Sequence, residues 1–369
     1  MAPMDFYHKL VHFGRQEAVP ASPAILPRTA ALLSVLYTFI YVAPFYLDKS
    51  TRTSSTLSRN APSLIRARIR AVTFACITCA LITVFVLQNY GHHDFYTSLH
   101  LLGWYPFSFS DIGKVILLVA ILFAGPLLEK TIFESEWEEW ITFSYWSYTL
   151  GSLPGIRDLI AGPVSEELLF RSVLIPLHLL SFPVPETPPP NTPPSSYPHL
   201  TTLIFITPLY FGIAHLHHLH EFRISHPNVH LAMALLRSVV QFTYTTLFGW
   251  FAAFVFLRTG SVWAAMAAHG FCNWLGLPRF WGRVGVRLVE QQRFSGVDAV
   301  PDVGGADATE VKRRYEGKGK KQGEEVRFQD QSWHAGWTLV YYGVLAAGAY
   351  GFYVFLFPLT ESKWRIVEF

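Results

Sequence analysis

The sequence predicts an all-α, polytopic membrane protein with about eight transmembrane helices and a polar cavity inside the bundle. Three observations carry this. Only 15% of the 369 residues are charged, against about 25% in soluble globular proteins. The apolar residues gather into blocks of roughly 16 to 28, near the ~20 residues that cross a bilayer core. The basic residues collect in two loops that fall on one side of the membrane when eight spans are counted.

The first span, 30–47, follows a segment 1–29 that lacks the apolar core of a signal peptide. The loop after it, "DKSTRTSSTLSRNAPSLIRARIR", carries Lys49, Arg52, Arg59, Arg66, Arg68 and Arg70, which assigns it to the cytoplasm. Asn60 here, and Asn191 further on, fail the glycosylation pattern. Span two, 71–88, contains Cys76 and Cys79 as a CxxC without further ligands, so helix packing is expected rather than redox or zinc chemistry. Span three, 113–128, is short. The acidic piece behind it places Trp137, Trp140 and Trp146 at headgroup depth.

Span four, 156–178, holds Glu166, Glu167 and Arg171. The following loop, "SFPVPETPPPNTPPSSYP", has no Lys or Arg, falls on the opposite side and should be extended. Span five, 200–219, ends in "LYFGIAHLHHLHEF"; His215 is its site candidate, and His217, His218 and His220 are expected at the interface. Span six, 231–257, has Arg237 near its start, where a long cation snorkels. Span seven, 261–277, carries His269 and Asn273. The loop 278–336, with "VKRRYEGKGKKQGEEVR", reads as a flexible cytosolic insertion. Its mixed charge and its place between spans argue against a nucleic-acid partner. Span eight, 337–357, leads into the tail that ends at 369.

Ionisable residues at membrane depth are costly and mark function. Glu167 and Arg171 are four apart and share a helix face, whereas Glu166 is turned about 100° away. His269 and Asn273 are also four apart, beside the small residues Ala265, Ala268 and Gly270 that permit close helix approach. Counting helix rise from the cytoplasmic ends puts Glu166 roughly 15 Å deep, His269 roughly 12 Å, and His215 and Asn273 roughly 6 Å. All four can line one cavity open to the cytoplasm. A sheltered carboxylate is a fair general base near neutral pH. Imidazoles relay protons there, and an amide can donate to an oxyanion. The same set could hold zinc or form a proton path, and spacing alone does not choose. No HExxH, GxSxG or P-loop is present.

"EELLFR" (166–171), "FGIAH" (211–215) and "HGFCN" (269–273) resemble, in order, the EExxxR, FxxxH and HxxxN motifs of the type II CAAX prenyl endopeptidases and their prokaryotic relatives, the CPBP intramembrane family. The resemblance is close over 156–277. It implies that Glu166 activates the attacking water, that His215 holds or activates it, that His269 and Asn273 stabilise the oxyanion, and that Glu167 and Arg171 brace the site. It also implies removal of the last three residues from prenylated CaaX proteins such as Ras-like small GTPases. The implied setting is the endoplasmic reticulum membrane, with the site open to the cytosol. Membrane lipids are the other expected partners, and no cofactor or metal is expected. Cys272 is next to Asn273 and expected off its face, against a thiol mechanism. Two other readings are a related peptidase with a non-prenylated substrate and a non-hydrolytic scaffold or transporter.

Overall fold

The computed structural model describes residues 22–54, 57–183, 198–284 and 335–367. Most of the segment 1–29, the proline-rich loop and the insertion 278–336 lie outside the described residues. Among the described residues every regular element is helical. The main helices are α1 (Pro27–Leu47), α2 (Pro62–Asn89), α3 (Phe95–Leu101), α4 (Phe109–Leu122), α5 (Ala124–Phe133), α6 (Phe143–Gly151), α7 (156–180), α8 (Thr202–Ser225), α9 (Leu231–Thr259), α10 (Val262–Leu275) and α11 (Gly336–Thr360).

Local chemistry sets their ends. Pro27 and Pro62 open α1 and α2, where a missing N–H costs nothing. Ser108 Oγ accepts from the Asp111 N–H to cap α4, and Ser261 Oγ accepts from the Ala264 N–H to cap α10. Between α9 and α10 the chain turns at Gly260, whose φ of 61° suits glycine.

Among the described residues five helices, α1, α2, α8, α9 and α11, are long and apolar enough to cross a membrane. A sixth crossing counts if α4 and α5, bent by 78°, are taken together; the bend divides the block 113–128 that reads as one span in the sequence. The blocks 156–178 and 261–277 form α7 and α10, which fall outside those five. Five charged residues (Arg157, Asp158, Glu166, Glu167 and Arg171) interrupt α7, and α10 has 14 residues, about 21 Å against a bilayer core of about 30 Å. Outward faces remain apolar, as at Phe39, Phe74 and Leu339.

α7 is the centre of the bundle and touches α1, α2, α8, α9 and α10. Polar pins fix it. Ser165 Oγ lies 2.9 Å from Tyr41 Oη, Ser172 Oγ donates to the Leu102 carbonyl at 2.6 Å, and His178 Nε2 lies 3.0 Å from Ser34 Oγ. Three wide π turns, Ile156–Ala161, Leu168–Val173 and Thr202–Ile206, each precede a proline (Pro163, Pro176 and Pro208). Proline removes a donor and crowds the carbonyl four residues back, and the wider turn accommodates both. Two of these turns flank the Glu166–Glu167 pair.

Candidate active site

The two adjacent glutamates of α7 have different surroundings. Glu167 is fully buried, whereas the Glu166 side chain keeps 21% of its surface. Glu167 Oε2 faces Arg171 Nε at 3.1 Å, and Arg171 Nη1 donates to Glu167 Oε1 at 3.2 Å. The Arg171 guanidinium stacks on Phe211, 4.5 Å from the ring centre. A cation at this depth is tolerable only with such a counter-charge and aromatic face.

α10 brings in His269 and Asn273. Its approach is set by Gly270, where a Cβ would lie 2.8 Å from the Leu159 carbonyl oxygen of α7. His269 Nδ1–H donates to Glu167 Oε1 at 2.7 Å, and His269 Nε2 is 3.7 Å from Glu166 Oε2. Asn273 Nδ2 donates one hydrogen to the Asp158 carbonyl at 2.8 Å; an amide has a second. From α8, His215 Nδ1–H donates to the Phe211 carbonyl at 2.8 Å, which leaves the Nε2 lone pair as an acceptor.

Two cavities meet at these residues. Glu166, His215, His218 and Asn273 line both. One, of about 560 Å³, is walled by Phe123, Leu247, Phe248, Phe251 and Phe352 and also reaches His269. The other, of about 170 Å³, has Arg59, Arg68 and Arg157 among its walls. The site residues from three separate sequence segments therefore face common space. A carboxylate, imidazoles and an amide lining shared cavity space suit hydrolysis by activated water.

Some expectations change. His217 and His218, expected at the interface, are half-buried and line the small cavity, while His220 is exposed. The reason is Glu221. It is buried, bonded to Arg68 of α2, and faces His218 Nδ1 at 3.3 Å, so this turn of α8 packs inward. Ligand atoms of His217, His218 and Glu221 lie within 4.8 Å of one another, yet Arg68 already neutralises the carboxylate. The Arg68–Glu221 pair joins distant segments, and the sequence carries no signal for it. Cys272 is not off the site's face, because it lines the larger cavity with His269 and Asn273. Arg237 is exposed and lies over the Phe222 ring at 4.5 Å.

A family model described as "Type II CAAX prenyl endopeptidase Rce1-like" matches residues 147–275, which include every residue named in the three motifs. The chain is 34% identical to a probable CAAX prenyl protease 2 of Schizosaccharomyces pombe over 256 residues, 69% of this chain and 84% of that protein. It is 34% identical to CAAX prenyl protease 2 of Arabidopsis thaliana over 200 residues, 49% of this chain and 58% of that protein. With CAAX prenyl protease 2 of Homo sapiens it shares 26% identity over 279 residues, 73% and 79% of the two chains. No solved structure matches the chain at a significant level.

Proposed function

Because the chain belongs to the type II CAAX prenyl endopeptidase family and is thereby a peptide-bond hydrolase, we propose that it removes the C-terminal tripeptide from prenylated CaaX proteins, using water activated by Glu166. The observation that carries this reading is the position of Glu166, the accessible glutamate of the pair, at the junction of the two cavities beside His215 and Asn273.

A water held between Glu166 and His215 Nε2 gives its proton to Glu166 as its oxygen attacks the carbonyl carbon of the prenylcysteine. The oxyanion forms toward the second amide hydrogen of Asn273 and toward His269, whose Nε2 donates with the ring as the imidazolium and its Nδ1–H kept on Glu167. Glu166 then returns the proton to the departing amine as the C–N bond breaks. Glu167 and Arg171 stay out of the reaction and orient His269. The isoprenoid occupies the phenylalanine-walled cavity, whose volume lies within the roughly 300–1,000 Å³ of small-molecule sites. Its burial contributes about 25 cal/mol per Å² and offsets the cost of bringing a peptide to membrane depth. On this reading the chain crosses the endoplasmic reticulum membrane eight times. The core 30–277 carries the site, and the basic loops support its opening to the cytosol.

The test is incubation of the purified protein in nanodiscs with matched CaaX peptides, with and without farnesyl, followed by product mass. The expected product is the farnesylated peptide shortened by three residues, with the unprenylated form turned over poorly. Equal kcat/KM for the two would sink the prenyl-substrate reading.

A further inference from the structure

The smaller cavity is not an extension of the apolar one. Three guanidinium groups reach its wall, and two of them are occupied. Arg68 donates through Nε to the Thr51 carbonyl at 2.8 Å, pairs with Glu221 and stacks over Phe45. Arg157 pairs with Asp158, at 2.7 Å from Nε and 2.9 Å from Nη2. Its Nη1 donates to the Arg59 carbonyl at 3.1 Å and to Asn60 Oδ1 at 3.0 Å, so Arg157 fixes the backbone from which Arg59 projects. Arg59 itself has no carboxylate at ion-pair distance among the described residues; Arg157 and Arg68 act against its charge at longer range, and Glu221 and Asp158, each already held by one of those arginines, act in its favour. Arg59 is thus the guanidinium of the three that has no carboxylate in contact among the described residues, and it can take up an anion without breaking an existing ion pair.

We propose that this cavity receives the free C-terminal carboxylate of the substrate, read by Arg59 and framed by Arg157. The inference rests on the CaaX-tripeptide reading above. Chain polarity favours it: the isoprenoid is attached on one side of the scissile bond and the carboxylate lies three residues to the other. Three extended residues span about 10 Å. Glu166 stands where the two cavities meet, so an apolar group on one side and an anion on the other are held apart across it. Location agrees as well. Arg59 is exposed and precedes the first residue of α2, Pro62, by three positions, in a polar loop. A carboxylate must stay near water, because a charge at bilayer depth is costly. A guanidinium binds it through paired hydrogen bonds. The arginine cavity thus fixes cleavage at the C-terminal end of a chain.

The test uses one farnesylated CaaX peptide made as the free acid and as the C-terminal amide. Binding of both is measured to Glu166→Gln protein in nanodiscs, so that no turnover intervenes. The acid is expected to bind about tenfold more tightly. Adding Arg59→Gln, which removes no ion pair from the fold, should reduce that ratio to below about threefold while the amide binds as before. Equal affinity for acid and amide would overturn the proposal, as would a preference that survives Arg59→Gln unchanged. Failure of the unsubstituted protein to release a tripeptide from the farnesylated acid is a separate result, and it would overturn the reading of the substrate instead.

Discussion

Glu167 serves His269 and Arg171 together: its Oε1 accepts from His269 Nδ1 at 2.7 Å, while its Oε2 faces Arg171 Nε at 3.1 Å. One buried carboxylate therefore fixes the orientation of an imidazole and neutralises a guanidinium. Removing one member of a buried ion pair leaves the other uncompensated, at about 3–5 kcal/mol. Glu167→Ala and Arg171→Ala should both lower the amount of folded protein and the melting temperature in detergent. Either variant folding with unchanged Tm would show the pair to be dispensable for the bundle.

Glu166 behaves differently because no such pair depends on it. Its nearest partner, His269 Nε2, is 3.7 Å away, beyond a hydrogen bond. Glu166→Ala should leave membrane levels and melting near those of the unsubstituted protein and abolish turnover. Substantial turnover by purified Glu166→Ala protein would remove it from the role of base.

The contact of α10 with α7 is a backbone contact. Gly270→Ala puts a Cβ 2.8 Å from the Leu159 carbonyl oxygen, which cannot rotate away. Overpacking of this kind costs about 1–3 kcal/mol. It also shifts His269 and Asn273 away from α7, so kcat should fall along with Tm. Gly343→Ala is the control, since a Cβ there meets nothing within 4 Å. Equal behaviour of the two variants would refute the close-approach argument.

How much of this was legible beforehand depends on the type of interaction. The division of labour between Glu166 and Glu167 follows from helix periodicity, because only Glu167 shares a face with Arg171. The small residues of α10 announced its tight packing, and Gly270 is where it occurs. Contacts through backbone atoms left no trace: nothing in the residue types indicates that Asn273 bonds the Asp158 carbonyl. Nor does the spacing of Glu221 suggest Arg68, which lies 153 positions earlier. The crossing count was obscured by chemistry. α7 carries the site's charges, and α4 and α5 meet at a bend, so neither reads in the structure as a plain apolar rod.

Cys272 lines the larger cavity, and Cys76 and Cys79 are buried between helices. A nucleophilic thiol needs a base and stabilisation of its thiolate. Cys272 has no hydrogen bond to a base among the described residues, and the neighbouring His269 directs its Nδ1–H to Glu167 at 2.7 Å. A chain with Cys272→Ser, Cys76→Ala and Cys79→Ala should retain most of its turnover. Chelators should likewise leave the rate unchanged, with Glu221 held by Arg68. Total loss in a folded cysteine-free chain would revive a thiol mechanism. Stoichiometric zinc whose removal stops turnover would establish a metal one.

Asn273 has one observed task and one proposed one, and kinetics can separate them. One amide hydrogen goes to the Asp158 carbonyl and ties α10 to α7. The other is available to the oxyanion, and loss of one such donor typically lowers kcat by about 10²–10³. A donor used only in the transition state affects kcat and kcat/KM equally, whereas loss of ground-state binding raises KM with kcat unchanged. Asn273→Ala should therefore lower kcat by about 10²–10³ with little change in KM. Asn273→Asp should be at least as slow, because a carboxylate cannot donate and repels both the Asp158 carbonyl and the oxyanion. A raised KM with normal kcat in Asn273→Ala would confine Asn273 to holding the helices together.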